Sequence, residues 1–273
     1  MVTTSAFTSD DVDPGGRARL RPRAASHVAW SDCIVDASHD RVMGGESLGL
    51  RFRGTVPGPE QVLVEAFLAA AKMRLGQGRS LTVFTQPAIE TGFPDLVAVV
   101  WRSEIARSWS AERGRLRATD LRLLHLLSTS GALDLAFLRE VFQRGLHGML
   151  TRLEEAGVVA VGKSKCRARS ASRIFAVERI IAVEAKVSAT QRALEQAGAN
   201  TWYSSESHAL LPRPRAGERM KDVASALGVG VIGFENDRVA QVYEPAIRAV
   251  PLSYGSWLFN EWTWRIARAQ GAI

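Results

Sequence analysis

Apolar residues first fall into a sustained period after residue 58, where Leu63, Val64, Phe67, Leu68 and Ala71 recur at helical spacing before Gly76. That pattern predicts an amphipathic helix from Pro59, with Gly76 as its stop. The first 57 residues are rich in Ser, Asp, Gly, Pro and Arg and show few apolar periods. They read as mostly loop or disorder, with short strands expected at 27–30 and 48–52. Two apolar, β-branched runs at 80–85 and 94–101, separated by the turn-rich residues 86–93, read as strands.

Between 117 and 165 the spacing changes. Thr119 can cap a helix through Leu121, Leu124 and Leu127 that Ser130 and Gly131 break; 135–142 predicts a second helix and 144–155 a third, closed by Gly157. The runs 158–161 and 173–177 then read as arms of a β-ribbon around a polar, basic tip at 162–172. Three helices and a ribbon in this order make a winged helix. Downstream, the pattern predicts strand at 174–176 or 180–187, helix at 190–197, strand at 201–205, helix at 217–227, and a hairpin of 228–234 with 238–243. Residues 253–269 read as a terminal helix whose Trp257, Leu258, Trp262 and Ile266 pack back onto the sheet. The expected fold class is therefore α/β, with a mixed-sheet core from 58–114 and 174–273, an insertion at 115–173 and an N-terminal extension at 1–57.

Composition narrows the function classes. With 273 residues and 46% hydrophobic content the chain can bury a core. Cys33 and Cys166 lie far apart and in no metal-ligand spacing, which disfavours a disulfide scaffold or zinc site and suits a reducing compartment; cytoplasm is the expectation. No apolar run approaches the roughly 20 residues of a membrane span. The net charge of +7 is unevenly distributed: residues 115–173 hold 11 basic against 5 acidic residues, and the rest of the chain is close to neutral. A concentrated basic excess is the footprint of a polyanion-binding module, although a solvated charged face carries the same signature. No phosphate-binding glycine loop, no Gly-x-Ser-x-Gly and no zincin motif occurs, so no nucleotide cofactor or serine nucleophile is expected.

Two fragments carry the chemistry. Gly92-Phe93-Pro94-Asp95 leads one predicted strand, and Glu184-Ala185-Lys186 lies inside the apolar run 180–187. An unpaired charge in an apolar strand is costly and usually serves a purpose, yet a Glu-x-Lys on a strand can also be a plain salt-bridging pair. Together the fragments resemble the signature of the PD-(D/E)XK nuclease superfamily, with its restriction-endonuclease-like fold. The resemblance covers residues 58–245 loosely and implies a Mg²⁺- or Mn²⁺-dependent phosphodiester hydrolase. It makes Asp95 and Glu184 metal ligands, with the carbonyl of Ala185 available to the ion. Lys186 would orient the attacking water and neutralise developing charge. Asp95 and Glu184 are 89 residues apart, too far for one strand connection, and an inserted unit between them accounts for the gap.

Further acids and amides follow from the same resemblance. A third carboxylate from the first helix points to Glu60, which a 100° helical projection places on the apolar face; Glu65 falls outside it. Glu60 can equally be a first-turn residue favouring the helix dipole. Gln196, within Ala193-Leu194-Glu195-Gln196-Ala197, matches the glutamine that follows the acid-x-Lys strand, with an ordinary surface glutamine as the alternative.

In the insertion, Leu146, Met149, Leu150 and Leu153 form the apolar stripe of the third helix, and Arg144, His147, Gly148, Thr151 and Arg152 form a polar face suited to a major groove. Lys163, Lys165, Arg167 and Arg169 alternate as phosphate clamps would. The expected partner is DNA, with a homodimer left open. Two other functions compete with the nuclease: a non-enzymatic DNA-binding regulator that keeps the fold as a partner surface, and an insertion that binds protein.

Overall fold

The computed structural model of the chain describes residues 26–39, 48–54, 56–188, 191–212 and 217–273. β1 (Ser26–Ala29) and β2 (Ile34–Val35) flank a 3₁₀ turn at Trp30–Cys33. α1 (Pro59–Ala70) begins with a proline, whose missing N–H would be unpaired there anyway, and buries Leu63, Val64, Phe67 and Leu68. The helix ends before Gly76 because Ala71 turns extended and β3 (Lys72–Leu75) pairs antiparallel with β1. β4 (Arg79–Thr85), β5 (Leu96–Arg102) and the short α2 (Ser103–Arg107) follow. Next come α3 (Ala118–Ser130), β6 (Leu133–Asp134), α4 (Leu135–Val141), α5 (Leu146–Glu155), β7 (Val159–Val161), β8 (Lys165–Ala168) and α6 (Ala171–Ile174). β9 (Val177–Ala185), α7 (Gln191–Gly198), β10 (Glu206–Pro212), α8 (Glu218–Leu227), β11 (Gly230–Glu235), β12 (Arg238–Tyr243) and α9 (Tyr254–Ala269) complete the chain.

The chain is α/β, built on a seven-stranded mixed sheet in the order β12-β11-β10-β9-β5-β4-β2. Its centre is apolar on both faces: six consecutive residues of β5 are buried, because helices cover the sheet from both sides. On one face α1 packs with Trp30, whose indole meets Phe67 edge-on at 5.5 Å. On the other, Trp257, Phe259 and Trp262 of α9 pack against Phe84, Val97 and Val99. α7 and α8 cover β10 and β11. The β11–β12 hairpin turns on Asn236 and Asp237, both at positive φ (49° and 58°), which suits residues that tolerate left-handed backbone. No helix among the described residues is long and apolar enough to cross a membrane.

The segment 118–168 forms three helices against a small sheet ordered β6-β8-β7. Asp120 organises it: its carboxylate accepts the Arg117 backbone N–H at 2.7 Å, closing the start of α3, and takes two bonds from Arg152 of α5 at 2.7 and 2.8 Å. Its leucine core runs without interruption into the core beneath α9. Arg113 and Glu261, both fully buried, fix that junction. The guanidinium donates to both carboxylate oxygens and, at 2.6 Å, to the Ile174 carbonyl.

Several expectations need correction. The second ribbon arm is β8, inside the stretch expected as a tip, and Arg173 belongs to α6. Cys166 is the one fully buried side chain of that polar strand, and it faces Leu133 and Val161, so hydrophobic periodicity could not reveal it. The third helix starts at Leu146, because Gly145 takes the left-handed region (φ 80°) and leaves Arg144 outside. The strand expected at 201–205 is a 3₁₀ turn, Ala199–Trp202, and the strand proper begins at Glu206. Glu206 and His208 are buried there; Glu206 is bridged by Arg179 at 2.8 Å, so polar residues occupy core positions. Residues 48–50 form no strand, and Phe52 makes an isolated bridge to Pro87. Most of the extension expected as loop, and Thr190 at the start of the 190–197 helix, lie outside the described residues.

Candidate active site

Strand pairing makes the site. β5 and β9 are antiparallel neighbours with Leu96 opposite Val183, so the next position along each strand brings Asp95 beside Glu184. Asp95 Oδ2 accepts the backbone N–H of Ala185 at 2.8 Å, which locks the carboxylate to the end of β9. Ala185 turns its methyl into the core on the α1 side. Lys186 lies one residue beyond the strand, and its backbone N–H still bonds the Leu210 carbonyl. Its Nζ donates to the Ala185 carbonyl at 2.9 Å and lies 3.4 Å from Glu60 Oε2 and 4.0 Å from Asp95 Oδ2.

These groups line a cavity of about 670 Å³ between the start of α1, the 86–95 loop and the ends of β9 and α7. Glu60, Asp95, Glu184, Lys186 and Gln196 all reach it, as do Arg53, Gln86 and Asn200. Glu184 is pushed up to about 7, first by burial and then by the Asp95 charge; a hydrogen bond from Asn200 Nδ2 at 3.0 Å and the Lys186 charge oppose the rise. Burial raises Asp95 as well, against the Ala185 N–H and Lys186. Beneath Glu184, Tyr203 is fully buried, stacks on Phe259 at 5.5 Å and is held protonated by burial and the Glu184 charge.

Two apposed carboxylates, both raised above their ordinary range, form a donor set that a divalent cation would relieve. The amide oxygens of Gln86 and Gln196 support that fit: both are buried at the cavity, and neither has a hydrogen-bond partner among the described residues. Glu60 lines the same cavity and pairs with Lys186, and among the described residues no group of three or more acids, histidines or cysteines is placed to hold one ion. The protein therefore offers two carboxylates and the Ala185 carbonyl, and that carbonyl already accepts from Lys186. Glu65 is exposed and bonded to Gln61, as the helical projection required.

The residues expected to touch DNA divide into two groups. Lys163, Lys165, Arg167 and Arg169 are exposed, and burial of Cys166 between Lys165 and Arg167 turns those two cations outward together. Arg169 Nε is tied to the Val159 carbonyl at 3.2 Å. The helix face is altered. His147 is exposed, and Thr151 bonds back to the His147 carbonyl at 3.0 Å. Arg144 sits on the turn before α5, and Arg152 is committed to Asp120. Gly148, Thr151 and Arg152 line a cleft of about 660 Å³ shared with Arg115, Arg117 and Arg265, so that side of α5 faces the body of the protein.

Sequence reasoning missed Gln86, Asn200 and Arg53. Gln86 had one available signal, its place at the end of a strand whose neighbour begins with Asp95; its backbone N–H bonds the Asp95 carbonyl at 3.0 Å. Asn200 and Arg53 lie in segments without periodicity, and only tertiary packing brings them in. No protein-family model, curated protein or solved structure matches the chain.

Proposed function

We propose that the chain is a divalent-metal-dependent deoxyribonuclease, a phosphodiester hydrolase with a PD-(D/E)XK-like core and a winged-helix DNA-binding unit inserted at 115–173. The observation that carries this reading is the meeting of Asp95, Glu184 and Lys186, drawn from distant stretches, in one cavity. Asp95, Glu184 and the Ala185 carbonyl would hold Mg²⁺ or Mn²⁺. When bound, such an ion supplies Lewis acidity and a more acidic water.

The chain's own residues supply the rest. The Lys186 ammonium, anchored on the Ala185 carbonyl, sets a positive charge where negative charge grows on the phosphoryl group. Asn200 restrains one oxygen of Glu184. Gln86 and Gln196 line the cavity beside these groups. The outward cations Lys165 and Arg167 supply phosphate contacts of the kind that position a duplex without reading its sequence.

The test is cleavage of plasmid and oligonucleotide substrates with Mg²⁺, Mn²⁺ or chelator, by the wild type and Lys186→Ala. The expected result is metal-dependent cleavage that falls by about 10²–10³-fold in the variant. A protein that binds duplex and leaves every substrate intact would instead be a DNA-binding regulator that retains the fold.

A further inference from the structure

The interior of the carboxylate cavity is polar, and its mouth carries apolar side chains as well. Val56, Phe93 and Val187 line it and remain 64%, 45% and 44% exposed, three of the large apolar side chains that folding leaves in water. Phe93 also sits in a hydrogen-bonded loop. Its loop is closed by Gln86 N–H to Asp95 O at 3.0 Å and by the reciprocal pair Ile89 N–H to Gly92 O and Gly92 N–H to Ile89 O, at 2.9 and 3.1 Å. Ala88 N–H bonds the Arg51 carbonyl at 2.7 Å, and the Trp202 indole N–H reaches the Thr91 hydroxyl at 3.3 Å. Gly92, at φ 128°, takes backbone that other residues rarely adopt, and Pro94 limits the far side. An exposed aromatic side chain thus stands on a hydrogen-bonded loop two residues from Asp95.

A ligand that fits both parts has an anionic group for the interior and a flat, apolar group for the lip, with Arg53 at the same mouth. A nucleotide has that form. We propose that Phe93 is a stacking platform for an unpaired nucleobase beside the phosphate held at Asp95 and Glu184, so that the enzyme acts on single-stranded or locally unpaired DNA in preference to intact duplex. This rests on the nuclease reading and names its substrate class. In a duplex the base faces lie inside the stack, and a ring beside the backbone meets only sugar and phosphate. A single strand offers the face freely, and base–aromatic stacking is strong enough to separate the two.

The experiment measures affinity of labelled oligonucleotides for the full chain with Ca²⁺ in place of Mg²⁺, using wild type, Phe93→Ala, Phe93→Leu and Phe93→Trp. The probes are a 12-nucleotide single strand, its blunt duplex, and the same strand with abasic sites throughout. Phe93→Ala should weaken single-strand binding about tenfold, Phe93→Leu should recover little and Phe93→Trp most of it, while duplex and abasic affinities stay unchanged. Equal loss on the abasic strand, full recovery with leucine, unchanged single-strand affinity, or no single-strand binding by the wild type would each overturn the proposal. A separate Mg²⁺ cleavage assay on the same single strand reads the nuclease activity. A wild type that stacks bases without cutting would sink the nuclease reading and leave the platform standing.

Discussion

Replacing Glu184 by Gln removes the charge that the fold tolerates least at the site. Burial and the Asp95 charge push the carboxyl up to about 7, against an ordinary glutamate value of 4.5. The folded chain therefore holds a proton there that the unfolded chain releases, and stability falls as pH rises through that window. At about 1.4 kcal/mol per pH unit, the ionised folded form is disfavoured by at most about 3 kcal/mol above pH 7. Because Asp95 shares the interaction, about 1–3 kcal/mol is expected. A glutamine keeps the shape and can still accept from Asn200. Urea or thermal unfolding in chelator should show Glu184→Gln more stable than wild type at pH 8, by about 2–6 °C in Tm, with the two converging below about pH 4.5. Saturating Mg²⁺ should reverse the order at pH 8, because ligand binding stabilises only the protein that keeps the carboxylate pair. A variant less stable than wild type at pH 8 in chelator, or a gap that does not depend on pH, would refute the reasoning.

Other outcomes follow from the same geometry. Glu261→Ala leaves the buried Arg113 guanidinium without its carboxylate and should cost about 3–5 kcal/mol in urea unfolding. Arg152→Ala should act mainly on stability, lowering the urea midpoint by uncovering Asp120, with little change in the salt dependence of DNA binding. Lys165→Ala and Arg167→Ala should leave the melting temperature unchanged and each reduce the slope of log affinity against log salt by about 1, as measured by titration at several salt concentrations.

The sequence marked the strands that carry Asp95 and Glu184 because a fully covered strand reads as an unbroken apolar run, in which a charged residue stands out. It also marked α1, α3, α5 and α9, whose apolar stripes are long enough to show a period. It misplaced β8 and the start of β10 because their buried positions are held by a cysteine and by the paired Glu206 and His208, which carry no hydrophobic signal. Arg152 looked like a free cation because its partner Asp120 lies 32 residues away along the chain.

Local pattern alone determined that an acid begins one apolar strand, that an acid and a lysine end another, and that the positive charge gathers between them. Which of those groups meet was a matter of register. Antiparallel pairing of β5 with β9 set Asp95 against Glu184, and the turn after α7 brought in Asn200. Glu60 was drawn to Lys186 at the same cavity. Strand register and ion pairing depend on contacts between residues far apart in the chain, and such contacts leave no trace in any short window of it.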